Sequence, residues 1–151
     1  MPILPETRPA SEQEIDAFLA AFEAGTLPKQ EFTHAGHLLA GACYVYMLGE
    51  AGAIEHMRLC VRRFNVAVGG RNTDTSGYHE TITVFWIKTL AALRAAHSAL
   101  LREEFAHHAV EAYKDRRDLF RAFYDFDVLA SVEARRNWIA PTVKPISPAN
   151  L

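Results

Sequence analysis

Gly77-Tyr78-His79-Glu80-Thr81-Ile82-Thr83-Val84-Phe85-Trp86-Ile87-Lys88-Thr89-Leu90 is the stretch on which the reading of this chain turns. It leaves a polar loop, 69–76, and enters helical spacing: His79, Thr83, Trp86, Leu90 and Leu93 share one face of a helix from Tyr78 to about His97. Glu80 projects about 100° away, above Val84, Ile87 and Ala91. His79 and Glu80 thus fall in the first turn, where free backbone N–H groups make the surroundings partly positive. That field disfavours imidazolium, so His79 is expected to be neutral near pH 7 and able to serve as a ligand or a base.

A second helix start carries histidine as well: Thr33-His34-Ala35-Gly36-His37. Thr33 is a good N-cap for a helix over 34–48. His34, Leu38, Gly41, Val45 and Leu48 line one face of it, with His37 and Tyr44 beside them and Leu39, Ala42, Cys43 and Met47 around the rest. A helix apolar all round belongs at the centre of a fold. Gly41, a turn below the histidines, leaves space beneath them.

Outward from these two helices the pattern stays helical. Ser11 and Glu14 form a capping box ahead of Ile15, Phe18, Leu19 and Phe22, and Gly25 with Pro28 ends that helix. Gly49 and Gly52 bracket a turn into an amphipathic helix over 53–67. Its apolar side is Ala53, Met57, Cys60, Val61 and Phe64, and its solvated side Glu55, Arg58, Arg62 and Arg63. Ser98 is expected to cap a further helix with Leu101, Phe105 and Val110, followed by a helical piece with Leu119, Phe120, Phe123 and Tyr124. Ser131 opens a last turn, and Pro141, Pro145 and Pro148 make 139–151 an extended tail, as three prolines make 1–10 an irregular lead-in. The expectation is all-α: a single-domain bundle of five or six helices.

Composition narrows the functional classes. The 151 residues are half apolar with a net charge of −2, which fits one ordinary globular domain and not a phosphate-tracking nucleic-acid binder. Cys43 and Cys60 lie in apolar helical contexts without a CxxC partner, as free thiols do in a reducing compartment. The first residues lack the apolar core of a signal peptide, and 38–48 is too short to span a bilayer. A cytoplasmic protein is expected.

Short connections make consecutive helices antiparallel, so 34–48 and 78–97 begin at the same end of the bundle. His34 and His37, spaced i,i+3, can reach one ion, with His79 as a third imidazole. The expected cofactor is a divalent transition metal (zinc, iron, copper or manganese), with Glu80 as general base, or Glu80 or Asp74 as an oxygen partner. In a metal-free version His79 moves the proton and Glu80 orients it. Arg71 would hold a substrate carboxylate or phosphate, with Asn72, Asp74 and Trp86 completing the pocket for a small-molecule ligand. A bland reading stands beside this: neutral histidines suit helix starts, and Glu80 fits as the residue reaching back to cap Gly77. HExxH, a Walker loop and a Gly-x-Ser-x-Gly elbow are absent from the sequence. A non-catalytic small-molecule or metal sensor and a structural homodimer are the alternatives to a small enzyme.

Phe32-Thr33-His34-Ala35-Gly36-His37-Leu38 together with Gly77-Tyr78-His79-Glu80-Thr81-Ile82-Thr83 resembles the THAxHL / GYHETxT signature of a small bacterial protein family with no assigned function. The resemblance runs from about Phe22 to Pro145. It implies a self-contained bacterial domain and carries no activity.

Overall fold

The computed structural model describes residues 10–151, so the lead-in expected over 1–10 lies, apart from Ala10, outside the described residues. Five α-helices follow in order: α1 Glu12–Ala24, α2 His34–Ala67, α3 Glu80–Ala96, α4 Arg102–Tyr113 and α5 Val132–Arg136. Short 3-10 turns lie at Lys29–Glu31, Leu119–Phe123 and Pro148–Asn150. The protein is all-α, with no strand among the described residues. None of its described helices is long and apolar enough to cross a membrane.

Local chemistry sets several boundaries as expected. The Ser11 hydroxyl accepts the Glu14 N–H and the Glu14 carboxylate accepts the Ser11 N–H, each at 3.2 Å. Gly25, at φ 71°, closes α1. Thr33 caps α2 by accepting the Gly36 N–H at 3.3 Å, and Ser131 caps α5 by accepting the Ala134 N–H at 3.1 Å.

The two helices expected over 34–48 and 53–67 are joined more tightly than their glycines suggest. One residue, Gly49 (φ 76°, ψ 177°), breaks the helical dihedrals, and the second half of α2 resumes at once. A side chain is strained at that φ, which is why glycine stands there. The halves fold back on each other: Tyr44 packs on His56 with ring centroids 4.2 Å apart, and Phe32 touches both His37 (3.8 Å) and Phe64 (4.7 Å). α3 runs antiparallel to the second half, as the Arg58–Glu80 and Lys88–Glu50 pairs show. α4 runs antiparallel to the first half, with Arg102 near Met47 at one end and Tyr113 at His34 at the other. The starts of α2 and α3 do share one end of the bundle.

Leu38, Val45 and Leu90 are buried in the core. Trp86 is half-buried, because α3 turns Val84, Phe85 and Ile87 inward. Gly41 opens no space under the histidines: α3 packs against it, and a Cβ there would lie 2.8 Å from the Leu90 side chain. The helix expected after Ser98 begins at Arg102, where the Glu104 carboxylate accepts the Leu101 N–H at 3.0 Å. The basic side of 53–67 is also not simply solvated, since Arg58 and Arg62 are drawn onto the start of α3.

Candidate functional site

The Gly77–Thr81 stretch is tied on every side. Gly77 has φ 80°, and a Cβ there would lie 2.2 Å from the Arg71 carbonyl oxygen, so no other residue fits the turn. Asn72 secures the loop from within: its side-chain oxygen accepts the Tyr78 N–H and the Asn65 amide, and its NH₂ donates to the Arg62 carbonyl, all at 3.0 Å. Asp74, expected as a ligand, is held by both nitrogens of the Arg136 fork, which keeps its carboxyl below the usual range. Arg135 donates to the Gly77 carbonyl at 2.9 Å.

His79 is the N-cap of α3 and not part of its first turn, which begins at Glu80. Its Nδ1 accepts the Ile82 N–H at 3.2 Å, and its Nε2 lies 2.9 Å from the Val128 carbonyl. An amide N–H only donates and a carbonyl only accepts, so the proton is on Nε2 and both ring nitrogens are used. Only 8% of the residue is exposed. Burial lowers its pKa; the Val128 bond works the other way, and the charge of Arg135 lowers it further.

Glu80 is 7% exposed and fully engaged. Arg58 grips both oxygens, Nε at 3.0 Å and Nη2 at 2.6 Å, and the Tyr78 hydroxyl donates to Oε1 at 2.6 Å. Burial acts to raise the carboxyl pKa, but the bonds from Arg58 and Tyr78 prevail and hold it below the ordinary value. Arg62 lies over the Tyr78 ring, 4.7 Å from its centroid. Next in line, the Thr81 hydroxyl donates to the Asn137 carbonyl at 2.7 Å and accepts the Ile139 N–H at 3.0 Å. This motif is a structural knot that joins α2, α3, the Val128 loop and the tail.

The other helix start is tied more loosely. His34 is half-buried, with Nε2 3.0 Å from the Tyr113 carbonyl and its ring edge-on to Trp86 at 4.9 Å. His37 is exposed, stacked on Phe32, with Nδ1 2.9 Å from the Thr33 carbonyl. Each carbonyl fixes the proton on the nitrogen facing it. Neutral rings therefore present lone pairs at His34 Nδ1 and His37 Nε2, neither of which has a hydrogen bond among the described residues. Burial lowers the His34 pKa, the Tyr113 carbonyl opposes this, and the charge of Arg117 lowers it again.

The chain matches no protein-family model, no curated protein and no solved structure. Its site therefore rests on its own geometry.

The expected three-histidine centre does not assemble. His34 is turned to α4, His37 to Phe32 and His79 to the Val128 carbonyl, and the described residues contain no group of three or more His, Cys, Asp or Glu able to hold a metal ion. Arg71 and Asn72 stay on the loop, and Trp86 belongs with His34.

Sequence reasoning missed four participants. Arg58 and Arg62 sit on a face that reads as solvated, and Arg117 lies in a polar run without periodicity. The fourth is a network in which Glu23 Oε1 accepts the Tyr44 hydroxyl at 2.7 Å and lies 3.1 Å from His56 Nε2, with the Cys60 sulfur 3.5 Å from the same nitrogen. The i,i+4 spacing of His56 and Cys60 was its legible signal. Burial raises the Cys60 thiol pKa despite Arg63, so this cysteine is no ready nucleophile.

Proposed function

We propose that the chain is a small acid–base enzyme whose working end is the start of α2, with His34 and His37 exchanging protons with a small anionic substrate and Arg117 supplying the counter-charge. This reading moves the chemistry away from His79 and Glu80. What carries it is the pair of imidazoles at one helix start, each oriented by a main-chain carbonyl and each left with one ring nitrogen that has no hydrogen bond among the described residues. A general base needs that arrangement: one nitrogen anchored and the other free. Arg117 adds to it, since its charge reaches both rings and it has no hydrogen bond or ion pair among the described residues. The metal-free version is preferred because two histidines are too few to fill a stable transition-metal site. Membership of the small bacterial family belongs to the same proposal and brings no activity with it, as does a cytoplasmic location.

The test is a titration of tag-free protein with inorganic phosphate and with acetate, read from the histidine ring proton resonances. The His34 and His37 signals are expected to shift and saturate while His79 stays still, with Arg117→Gln weakening binding about tenfold. Shifts that never saturate, or binding unchanged by Arg117→Gln, would overturn the reading. A stoichiometric metal retained by the purified protein and lost in His34→Ala would replace it with the metal version.

A further inference from the structure

Lys88, Trp138 and 140–146 line an open cleft of about 510 Å³ on the tail side of the molecule, apart from the histidine site. The volume falls within the ~300–1,000 Å³ of small-molecule sites. Its lining combines Trp138 with Pro141, Pro145 and Ile146, and includes two lysines, Lys88 and Lys144. Lys88 sits 5.7 Å from the Trp138 ring centroid and shares its charge with Glu50 at 3.1 Å. Lys144 lies over the Phe123 ring at 4.9 Å and has no ion pair among the described residues.

The tail that forms the cleft is fastened down. The Phe123 carbonyl accepts the Thr142 and Val143 N–H groups, each at 3.0 Å, and the Tyr124 hydroxyl donates to the Ile139 carbonyl at 2.7 Å. The Thr142 hydroxyl bonds Asp125 twice, accepting its N–H and donating to its carboxylate, both at 2.9 Å. A pinned wall lowers the ordering cost of binding.

We propose that this cleft binds a planar aromatic acid, its ring against Trp138 and the prolines and its carboxylate at Lys144. The aromatic wall selects a flat apolar body, and the Lys144 ammonium selects a negative head group. Lys88 has the lesser part because Glu50 already occupies it.

The experiment is a titration of the full chain, labelled with nitrogen-15, with 2-naphthoate. The chain has two tryptophans, so two indole N–H signals report on it, and Trp138→Phe assigns them. The Trp138 signal is expected to shift and saturate while Trp86 stays still. Lys144→Gln is expected to weaken binding about tenfold, and the neutral 2-naphthylmethanol to bind more weakly than the acid by a similar factor. A non-saturating shift, equal movement of both tryptophans, or equal binding of acid and alcohol to the unaltered protein would overturn the proposal. So would unchanged binding in Lys144→Gln. The acid–alcohol comparison decides the matter even if that variant fails to fold.

Discussion

Two helix starts in this chain look alike in sequence and are used in opposite ways. Both carry histidine where a long helix begins at the same end of the bundle, His34 as the first residue of α2 and His79 as the N-cap of α3. At the start of α3 the side chains are spent on the protein itself: His79 caps, Glu80 is gripped by Arg58 and Tyr78, and Thr81 fastens the tail. At the start of α2 a threonine does the capping, which leaves His34 and His37 one ring nitrogen each without a hydrogen bond among the described residues. Availability for chemistry depends on which residue the backbone recruits as its cap.

The comparison can be broken most sharply at Glu80. Glu80→Gln removes the charge that Arg58 pairs with and leaves the guanidinium half-satisfied. A loss of about 3 kcal/mol is expected, the lower end for breaking a buried pair because Arg58 is partly exposed. Urea unfolding checks it. A neutral outcome would mean the knot is slack and Glu80 is free for catalysis after all.

A pH series probes the histidines next. His79 and His34 both hold protons less tightly in the folded chain than the ordinary value of 6.5. Between the folded and unfolded values the unfolded chain binds more protons, so stability rises with pH across that interval. The contribution is complete above about 6.5 and is lost as pH falls through the folded values. Protonating His79 Nδ1 also breaks its bond from the Ile82 N–H. The urea midpoint is therefore expected to drop between pH 7.5 and 5.5, and to drop less in His79→Ala. Equal slopes in the two proteins would remove His79 from the knot.

The smallest effect is expected at the open start. His37→Ala loses one solvent-accessible bond to the Thr33 carbonyl and the stacking on Phe32, so its stability should change by roughly 1 kcal/mol or less. If this loss matched that of Glu80→Gln in the same urea experiment, the two starts would not differ in kind.

The scaffold was largely legible because its signals are local. Ser11 with Glu14, Gly25, Thr33, Gly49 and Ser131 each act within a few residues, and the structure uses them at helix boundaries or, for Gly49, at the break inside α2. The site was legible only as a neighbourhood. That both starts share an end follows from short connections, but the direction each ring faces depends on partners far along the chain. His34 meets Tyr113, His79 meets Val128, and Glu80 meets Arg58, which spacing alone had placed toward water. The helix α3 starts two residues later than the pattern predicts, because the His79 side chain itself caps the first turn that spacing assigns it to.

The Thr81 bonds have a consequence for how the tail is held. They join residues 56 and 58 positions apart, so docking the tail closes a long loop. The entropy of such closure grows only logarithmically, about 0.6 kcal/mol for each doubling of length, which is less than one typical hydrogen bond contributes. Whether residues 137–143 stay docked is therefore governed by the few groups that receive them, chiefly Thr81, Tyr124 and the Phe123 carbonyl, and hardly at all by the length of chain in between.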